Sequence, residues 1–333
     1  MKNKKTCFND VLYQRSCHAD REKGEVMDIK KFPGGVWPVM LTPFRPDGEV
    51  DYEGLRRLTD WYIEKGSKGL FAVCQSSEMF FLEMEERLEI ARAVVECAAG
   101  RVPVIACGNI ADKEAERIEE ANLMAQTGVD AVILVTNSFA EAEEGDAVWM
   151  ERCERFLKEI REDIPLGFYE CPYPYKRLIS LDNLKKCAET GRFYFLKDTC
   201  CDLRLIKQRL TAVNGTKLKI YNANSATLLD SLLCGVHGFS GVMANFHTDL
   251  YAYLCSHMKD EGIRLLQDYL TVAAWAECKY YPANAKYFLQ KCEKLPVDVY
   301  CRKLDGKDMN DTLRSEMEMF CELTGMVKAH YGL

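Results

Sequence analysis

A lysine at the end of a short apolar run has the clearest potential for chemistry in this chain. Lys197 follows Phe193-Tyr194-Phe195-Leu196 and precedes Asp198-Thr199. An ammonium group is costly to bury while it is charged, so burial favours the neutral amine, which is a nucleophile. Such a lysine can form an imine with a carbonyl substrate. The local sequence alone favours a simpler alternative, a lysine that reaches solvent and pairs with a carboxylate.

A hydroxyl-rich turn follows another apolar run. Cys74 is followed by Gln75, Ser76, Ser77 and then Glu78. Successive hydroxyl and backbone N–H groups after a strand can hold a carboxylate, although serines also satisfy the backbone of their own turn. Both alternatives stay open for the serines. Glu78 is a candidate general base, or else a carboxylate that pins loop N–H groups or pairs with a cation.

A tyrosine ends a third apolar run. Tyr169 could relay protons to a lysine or its imine, or could be a core aromatic residue with a hydrated hydroxyl. Glu170 follows Tyr169, and Asp198 follows Lys197. These two carboxylates could instead bind a metal ion in a metal-dependent enzyme, which activity after chelation would test. A lysine, a tyrosine and an anion-holding turn are together the parts of an imine-forming site for a 2-oxo acid.

The apolar runs recur regularly along the chain, and each is followed by a turn and an amphipathic helical pattern. Their nearly continuous hydrophobicity is typical of parallel strands that are covered on both faces. The predicted strands are Gly35–Leu41, Gly69–Cys74, Val102–Cys107, Ala131–Val135, Leu166–Tyr169, Phe193–Lys197, Leu218–Asn222 and Gly238–Met243. This α/β pattern predicts a (β/α)8 TIM barrel, whose active site lies at the C-terminal ends of the strands. A doubly wound sheet is the alternative, but no Gly-x-Gly-x-x-Gly follows the first strand.

The helical segments have recognisable ends. Asp51 is a candidate N-cap, and Gly66 can end the helix that it begins. From Leu250 to His330 the sequence is helical, with breaks near Pro282, Pro296 and Gly306, and it contains no further strand pattern. We therefore expect a barrel over residues 32–255 and a C-terminal helical extension over residues 256–333. Residues 1–31 are expected to be a poorly ordered extension, and Met27 is an alternative start of the chain.

Composition excludes several classes of function. The chain has 333 residues, is 48% hydrophobic and carries a formal net charge of -7, which predicts neither a nucleic-acid nor a membrane partner. No apolar run approaches the roughly 20 residues needed to span a bilayer, and the N-terminus lacks the apolar core of a signal peptide, so we expect a cytoplasmic protein. The 16 cysteines show no Cys-x-x-Cys spacing and are expected to be reduced thiols.

From Gly35 to its C-terminus, the chain resembles the dihydrodipicolinate synthase / N-acetylneuraminate lyase family of class I pyruvate-dependent aldolases. No single motif is decisive, but their order on eight strand–helix units is specific. The motifs that carry the resemblance are Leu41-Thr42-Pro43-Phe44, Ser76-Ser77-Glu78, Tyr169-x-x-Pro172, Lys197-Asp198, Gly241-Val242 and Ala244-Asn245.

The resemblance implies a role for each matching position. Lys197 matches the lysine that forms the Schiff base, and Tyr169 matches the tyrosine that shuttles protons. Gln75 and Ser76 match the residues that bind the substrate carboxylate, and the backbone carbonyl of Ser240 would face the bound keto acid. The resemblance also implies no metal and no organic cofactor, and a homo-oligomer, either a dimer or a tetramer. The predicted site is Lys197 and Tyr169 for catalysis, with Gln75, Ser76, Ser77, Ser240 and Gly241 for substrate binding.

The chain departs from the family pattern at several positions. Cys74 and Ser77 stand where the family turn has glycines, and Gln75 replaces a hydroxyl residue of the synthase proton relay. Phe139 stands where the synthase has a second relay tyrosine, and phenylalanine carries no transferable proton. Pro174 stands where the synthase has an arginine. These departures argue against dihydrodipicolinate synthase itself.

The resulting prediction is a Schiff-base lyase that acts on a 2-oxo acid. Retro-aldol cleavage of a 2-keto-3-deoxy sugar acid, or a related acid, to pyruvate and an aldehyde is the favoured reaction. A dehydratase that uses the same imine is one alternative, and a non-enzymatic paralogue that binds keto or sugar acids is another. The loop from Glu170 to Arg177 could present Tyr173 or Lys176 to the substrate, or could pack against a neighbouring subunit.

Overall fold

The computed structural model describes residues 32–333, so the predicted extension over residues 1–31 and the alternative start at Met27 lie outside it. Parallel strands alternate with helices around a closed ring, and the protein is a (β/α)8 TIM barrel, as predicted. The strands are β1 Gly35–Val36, β2 Leu70–Val73, β3 Val104–Cys107, β4 Ala131–Val135, β5 Leu166–Tyr169, β6 Phe193–Asp198, β7 Lys219–Asn222 and β8 Gly238–Phe239.

The ring closes between the first two strands. β2 to β8 pair in sequence order and β8 pairs with β1, where Gly35 is the partner of Gly238. A single parallel bridge between Val39 and Phe71 completes the circle, and the Met40 N–H donates to the Phe71 carbonyl over 3.0 Å. All C-terminal strand ends therefore meet at one face of the barrel, where TIM barrels carry their chemistry.

Two strands are shorter than the sequence pattern predicted. β1 was expected to reach Leu41 but ends at Val36, because Pro38 has no N–H to donate to a ladder. β8 was expected to reach Met243 but ends at Phe239. The backbone of Gly241 lies so close to its neighbours that a Cβ atom there would sit 2.4 Å from the Ala223 carbonyl oxygen. The chain turns at this point, and only glycine fits.

Helices cover the outside of the barrel. The Asp51 side chain caps the first helix by accepting from the Gly54 N–H over 2.9 Å, as its sequence position predicted. The helices are α1 Tyr52–Glu64, α2 Met84–Ala98, α3 Glu114–Ala125, α4 Asp146–Glu159, α5 Leu181–Glu189, α6 Leu203–Ala212, α7 Leu228–Leu233, α8 Ala244–Ser256, α9 Ile263–Ala273, α10 Ala283–Cys292 and α11 Asp311–Tyr331. No helix within residues 32–333 is long and apolar enough to cross a bilayer.

Aromatic side chains fill the barrel below the site. Phe195 stacks on Tyr221 with ring centroids 4.3 Å apart, and Trp37 packs against Phe195 at 5.1 Å. Side chains two residues apart on a strand share a face, so Lys197 points to the same side of β6 as Phe195, into the barrel interior. The packed aromatic layer closes the barrel beneath the lysine and excludes water from that side.

The last three helices pack beside the barrel. α10 begins directly after Pro282, one of the predicted breaks, and α11 begins after Asn310. Cys292 of α10 and Cys321 of α11 form a disulfide, which corrects the expectation that all cysteines are reduced thiols. The two cysteines are 29 residues apart in sequence, and only the packing of one helix on the other brings their Cα atoms to 5.7 Å.

Candidate active site

Lys197 and Tyr169 face each other at the C-terminal end of the barrel. They are register partners on the neighbouring strands β6 and β5, and the Lys197 Nζ lies 4.2 Å from the centroid of the tyrosine ring. Lys197 is only 4% exposed. Burial lowers the pKa of Lys197 from its usual value, because the interior disfavours the charged form. The strand ladder thus delivers a buried amine with an increased neutral fraction.

Gln75 directs the hydroxyl of the tyrosine. The Tyr169 hydroxyl donates to the Gln75 Oε1 over 3.2 Å, and the Cys171 Sγ lies 3.6 Å from the same oxygen. Burial raises the pKa of the Tyr169 phenol well above its usual value, so the phenol is protonated before a substrate binds. A glutamine carbonyl accepts a hydrogen bond but cannot pass a proton onward, unlike a hydroxyl. The hydrogen-bond path from the Tyr169 hydroxyl therefore ends at Gln75.

The two serines of the turn have different partners. Gln75–Ser77 forms a single 3-10 turn. The Ser77 hydroxyl donates to the Cys74 carbonyl over 2.7 Å and accepts from the Cys74 N–H over 2.8 Å, so it holds the turn itself. Ser76, by contrast, lines the cavity above Lys197. The sequence left open whether the serines hold a ligand or the backbone of their own turn. Ser77 holds the backbone, whereas Ser76 is available to a ligand.

The turn tolerates its lost glycines for a conformational reason. Cys74 is extended, with a φ of -154°, which any residue can adopt. The left-handed position falls instead on Glu78, whose φ is 63°. Cys74 is fully buried against the barrel wall, so its side chain fills space that a glycine would leave empty.

Glu78 has a structural role. Its Oε1 lies 3.1 Å from the Lys286 Nζ, and both side chains are fully buried. Its Oε2 accepts from the backbone N–H of Lys303 over 2.8 Å. The carboxylate therefore pins loop N–H groups and pairs with a cation, which is the second of the two roles considered from the sequence. It also ties the active-site turn to the C-terminal helices.

Glu170 and Asp198 are engaged by an arginine. The Arg209 guanidinium donates to the Asp198 Oδ2 over 2.5 Å and to the Glu170 Oε2 over 3.0 Å, and all three side chains have no exposed surface. The guanidinium stands where a shared cation would have to lie. This arrangement corrects the metal-site hypothesis for these two carboxylates. Among residues 32–333, no cluster of histidine, cysteine and carboxylate side chains is arranged to hold a metal ion.

The end of β8 approaches the site through its backbone. The Ser240 N–H donates to the Asn222 carbonyl over 2.9 Å, and its buried hydroxyl has no hydrogen-bond partner within the described chain. Neither Ser240 nor Gly241 contributes to the cavity lining, whereas Val242 does. A substrate contact of the Ser240 carbonyl remains a prediction.

Phe139 lies away from the cavity. It is 3% exposed and packs against Trp149 and Phe156, with ring centroids 5.4 Å away in each case. The site therefore has no hydroxyl from this position.

The loop after β5 is fixed by one amide. The Asn137 Nδ2 donates to the carbonyls of Cys171, Tyr173 and Tyr175 over 3.1, 2.9 and 2.6 Å. Tyr173 is exposed and packs against Phe80, whereas Lys176 lines the cavity. The sequence had offered both residues to a substrate, and the loop places only Lys176 at the site.

The cavity above Lys197 encloses about 350 Å³. Part of its wall comes from the C-terminal region, namely Glu277, Cys278, Tyr281, Pro282 and Lys303. The rule that active sites of TIM barrels lie at the C-terminal ends of the strands does not select these residues. No local pattern marks these residues in the sequence, although Tyr280-Tyr281-Pro282 interrupts the helical pattern there. A larger cavity of about 670 Å³, lined by Lys68 and His237 among others, lies beside β1 and β8. Neither Lys197 nor Tyr169 lines it.

Glu277 adds a carboxyl group to the cavity. It belongs to the 3-10 segment Ala274–Cys278 that follows α9. Burial raises the pKa of the Glu277 carboxyl, and the smaller influence of Lys197 opposes that shift. The cavity thus holds a cationic or neutral amine, a phenol and a carboxyl that is protonated more readily than usual.

The chain is similar to known proteins along most of its length. The model of the dihydrodipicolinate synthetase family matches residues 32–313. The 4-hydroxy-tetrahydrodipicolinate synthase of Laribacter hongkongensis is 29% identical over 305 residues, which cover 88% of this chain and 99% of that protein.

Two solved structures show the same fold. YagE, a prophage protein of the dihydrodipicolinic acid synthase family from E. coli K12, solved in complex with pyruvate, aligns with a TM-score of 0.77 and 21% identity over 88% of this chain and 98% of its own. CdNal from Clostridium difficile, solved in complex with mannosamine, aligns with a TM-score of 0.76 and 20% identity over 87% and 98%.

A TIM barrel with a buried amine and a phenol at the C-terminal ends of neighbouring strands suits a class I lyase or aldolase, and the family match shows that this protein is one. The family match covers most of the chain. This protein belongs to the dihydrodipicolinate synthetase family, whose members act on pyruvate.

Proposed function

We propose that this enzyme cleaves a 2-keto-3-deoxy sugar acid, or a related acid, to pyruvate and an aldehyde through a Schiff base on Lys197. The carrying observation is the buried Lys197 Nζ, which lies 4.2 Å from the centroid of the Tyr169 ring in a cavity that both residues line. Burial lowers the pKa of this lysine and so enlarges the fraction of neutral amine that can attack a carbonyl.

The reaction begins at the 2-oxo carbon. The neutral amine of Lys197 adds to this carbon, and the carbinolamine loses water to give a protonated imine. Tyr169 donates the proton that the departing hydroxyl needs and later returns protons to the reacting carbon. The substrate carboxylate lies against the turn that contains Gln75 and Ser76, which anchors the acid during these steps.

Bond cleavage uses the imine as an electron sink. The Tyr169 phenolate, which gave up its proton when the carbinolamine lost water, removes the proton of the 4-hydroxyl. The bond between C3 and C4 breaks, and its electron pair moves toward the iminium nitrogen. The aldehyde leaves and an enamine of pyruvate remains on Lys197. Protonation at C3 restores the imine, and water hydrolyses it to release pyruvate and the free amine.

Three positions support a lyase rather than the synthase reaction for which several relatives are named. Gln75 ends the hydrogen-bond path from Tyr169 with a carbonyl. Phe139 is packed among aromatic rings and supplies no second phenol. Pro174 occupies the position that resembles the arginine of the synthase. The imine-forming half of the site is retained, whereas the groups for the second substrate differ.

A dehydratase acting on the same acids is the second candidate. Glu277 supports it, because a cavity carboxyl with a raised pKa can protonate a departing hydroxyl. The same imine would then promote loss of water instead of cleavage between carbons. The products distinguish the two reactions, since only cleavage releases pyruvate directly.

Borohydride trapping tests the proposal. The protein is incubated with pyruvate or with a panel of 2-oxo acids, reduced, digested and examined for added mass on Lys197. Lys197→Ala should abolish both the adduct and turnover, whereas Lys217→Ala should preserve both, because Lys217 contacts Tyr194 instead of the cavity. Absence of an adduct across the panel would refute the proposal, and an adduct without turnover of any acid would support the non-enzymatic paralogue.

We also propose that the chain assembles as a dimer or a tetramer, as its resemblance to the family implies. Light scattering after size-exclusion chromatography measures this directly, and a monomer at micromolar concentration would contradict it. The cytoplasmic location and the division of the chain at residue 255 remain predictions, although residue 255 falls within the last turn of α8.

A further inference from the structure

Tyr281 brings a hydroxyl into the cavity from outside the barrel. It belongs to the segment before α10 and lines the same cavity as Ser76 and Lys197. The family resemblance implied no role for Tyr281. The residue also lies outside the strand ends, where the active site of a TIM barrel is expected. Its hydrogen bonds nevertheless determine what this hydroxyl can do.

A buried amide fixes the direction of the hydrogen bonds. The Asn245 Nδ2 donates to the Val39 carbonyl over 2.9 Å and to the Tyr281 hydroxyl oxygen over 2.8 Å. The Asn245 Oδ1 accepts from the Tyr62 hydroxyl over 2.5 Å. Reversing the amide would place its oxygen against the Val39 carbonyl oxygen, so only the observed orientation satisfies every partner. Asn245 and Tyr62 have no exposed surface.

This network leaves the Tyr281 proton for the cavity. Both N–H groups of Asn245 are used, so its amide donates to Tyr281 and cannot accept from it. The neighbouring polar group on the cavity side is the Ser76 hydroxyl, which interacts with the phenol. Burial raises the pKa of Tyr281 well above its usual value, so the phenol stays protonated. Tyr281 is thus a permanent donor that points into the site.

We propose that Tyr281 and Ser76 together bind the carboxylate of the 2-oxo acid, with the phenol as the donor from the C-terminal region. A bound carboxylate accepts a hydrogen bond from both hydroxyls. Ser77 cannot take this part, because its hydroxyl holds the backbone of Cys74. The inference rests on the proposed function, since it requires a 2-oxo acid at Lys197.

Two probes separate the carboxylate from the carbonyl. Pyruvate and methyl pyruvate share the 2-oxo group, but the ester carries no negative charge. The half-saturating concentration of each is measured by borohydride trapping with wild type and Tyr281→Phe. The variant should require about 10- to 100-fold more pyruvate, because a hydrogen bond to a charged group is lost, and should bind the ester nearly unchanged.

Matched variants control for general damage. Tyr280→Phe removes the neighbouring phenol, which donates to the Asp308 carbonyl over 3.2 Å away from the cavity, and should leave both concentrations unchanged. Thermal unfolding checks that Tyr281→Phe is folded. If it does not fold, Ser76→Ala provides the same comparison, and it should also weaken trapping of pyruvate selectively.

The outcomes separate this inference from the proposed function. If wild type gives no adduct with any 2-oxo acid, the proposed function fails. If wild type is trapped but folded Tyr281→Phe shows an unchanged requirement for pyruvate, the Tyr281 inference fails and the imine remains. An equal loss for pyruvate and its ester also overturns it, because the phenol would then act on the carbonyl or on the shape of the cavity.

Discussion

Replacing Arg209 should show how much its buried ion pairs stabilise the strand ends around Lys197. Its guanidinium donates to Glu170, to Asp198 and to the Ile179 carbonyl, and the whole side chain is buried. Arg209→Met keeps much of the volume but leaves two buried carboxylates without their cation. Breaking a buried pair in this way costs about 3–5 kcal/mol of unfolding free energy.

The structure places the cost in the lower part of that range. Glu170 keeps hydrogen bonds from the N–H groups of Ile179 and Thr199, at 2.9 and 3.0 Å, which compensate for part of the lost charge. A loss of about 3 kcal/mol corresponds to a fall of about 5 °C in the unfolding midpoint of about 300 ordered residues, because the unfolding entropy is about 2.1 cal/mol/K per residue.

The same substitution should change the pH dependence of stability. Burial already raises the pKa of Glu170, and Arg209 is the main opposing influence. Without Arg209 the folded state binds protons more readily than the unfolded state, so the deficit is largest above neutral pH and shrinks as the pH falls. The uncompensated charge beside Lys197 should also raise the pKa of the lysine and slow trapping at neutral pH.

Thermal unfolding at pH 8 and pH 5 measures the first two effects. Arg204→Met is the matched control, because Arg204 is 92% exposed and pairs only with Asp202 at the surface; it should shift the midpoint very little. An Arg209→Met midpoint within 2 °C of wild type, by roughly the scale above, would refute the reasoning. So would a deficit that grows as the pH falls.

Three further predictions concern Tyr169, Lys197 and His247. Tyr169→Phe should lower turnover by about 100- to 10,000-fold with a much smaller change in substrate binding; a loss in binding alone would contradict a proton-transfer role. The rate of trapping should rise with pH through a midpoint below the usual lysine value of 10.5, because burial lowers the pKa of Lys197; an unshifted midpoint would argue against a desolvated amine. Burial lowers the pKa of His247 to about 3, and neither ring nitrogen has a hydrogen-bond partner within the described chain. The unfolded chain therefore takes up a proton that the folded one excludes, and stability should fall as the pH drops from about 6.5 toward 3. His247→Phe should flatten that dependence in urea titrations at pH 6 and pH 4.5, and an identical slope in both proteins would count against it.

The strand pattern was sufficient to locate most of the barrel. β4 and β5 have the limits that the sequence predicted, because an uninterrupted apolar run between turn signals leaves little freedom. β1 and β8 were overestimated, since apolar residues continue past the point where Pro38 and Gly241 end the ladders. Hydrophobicity reports burial, whereas a strand also requires backbone partners.

The site was predictable where it depends on strand ends. Lys197 and Tyr169 follow from the rule that parallel strands in a barrel deliver their C-terminal residues to one face. The sequence could not predict that Ser77 holds the backbone of Cys74 while Ser76 lines the cavity. The sequence does not show whether a serine hydroxyl lies beside a backbone N–H or beside a cavity. The disulfide between Cys292 and Cys321 was missed for a similar reason, as it depends on how two helices pack.

The sequence by itself determined the repeated units, the barrel face at which the strands end and the position of Lys197 at that face. Local periodicity and the geometry of parallel strands are enough for these. Only the tertiary structure decided that the C-terminal region supplies Glu277 and Tyr281 to the cavity. Contacts such as the ion pair between Glu78 and Lys286, 208 residues apart, hold that region over the site. Such contacts arise from three-dimensional packing and leave no periodic trace along the chain.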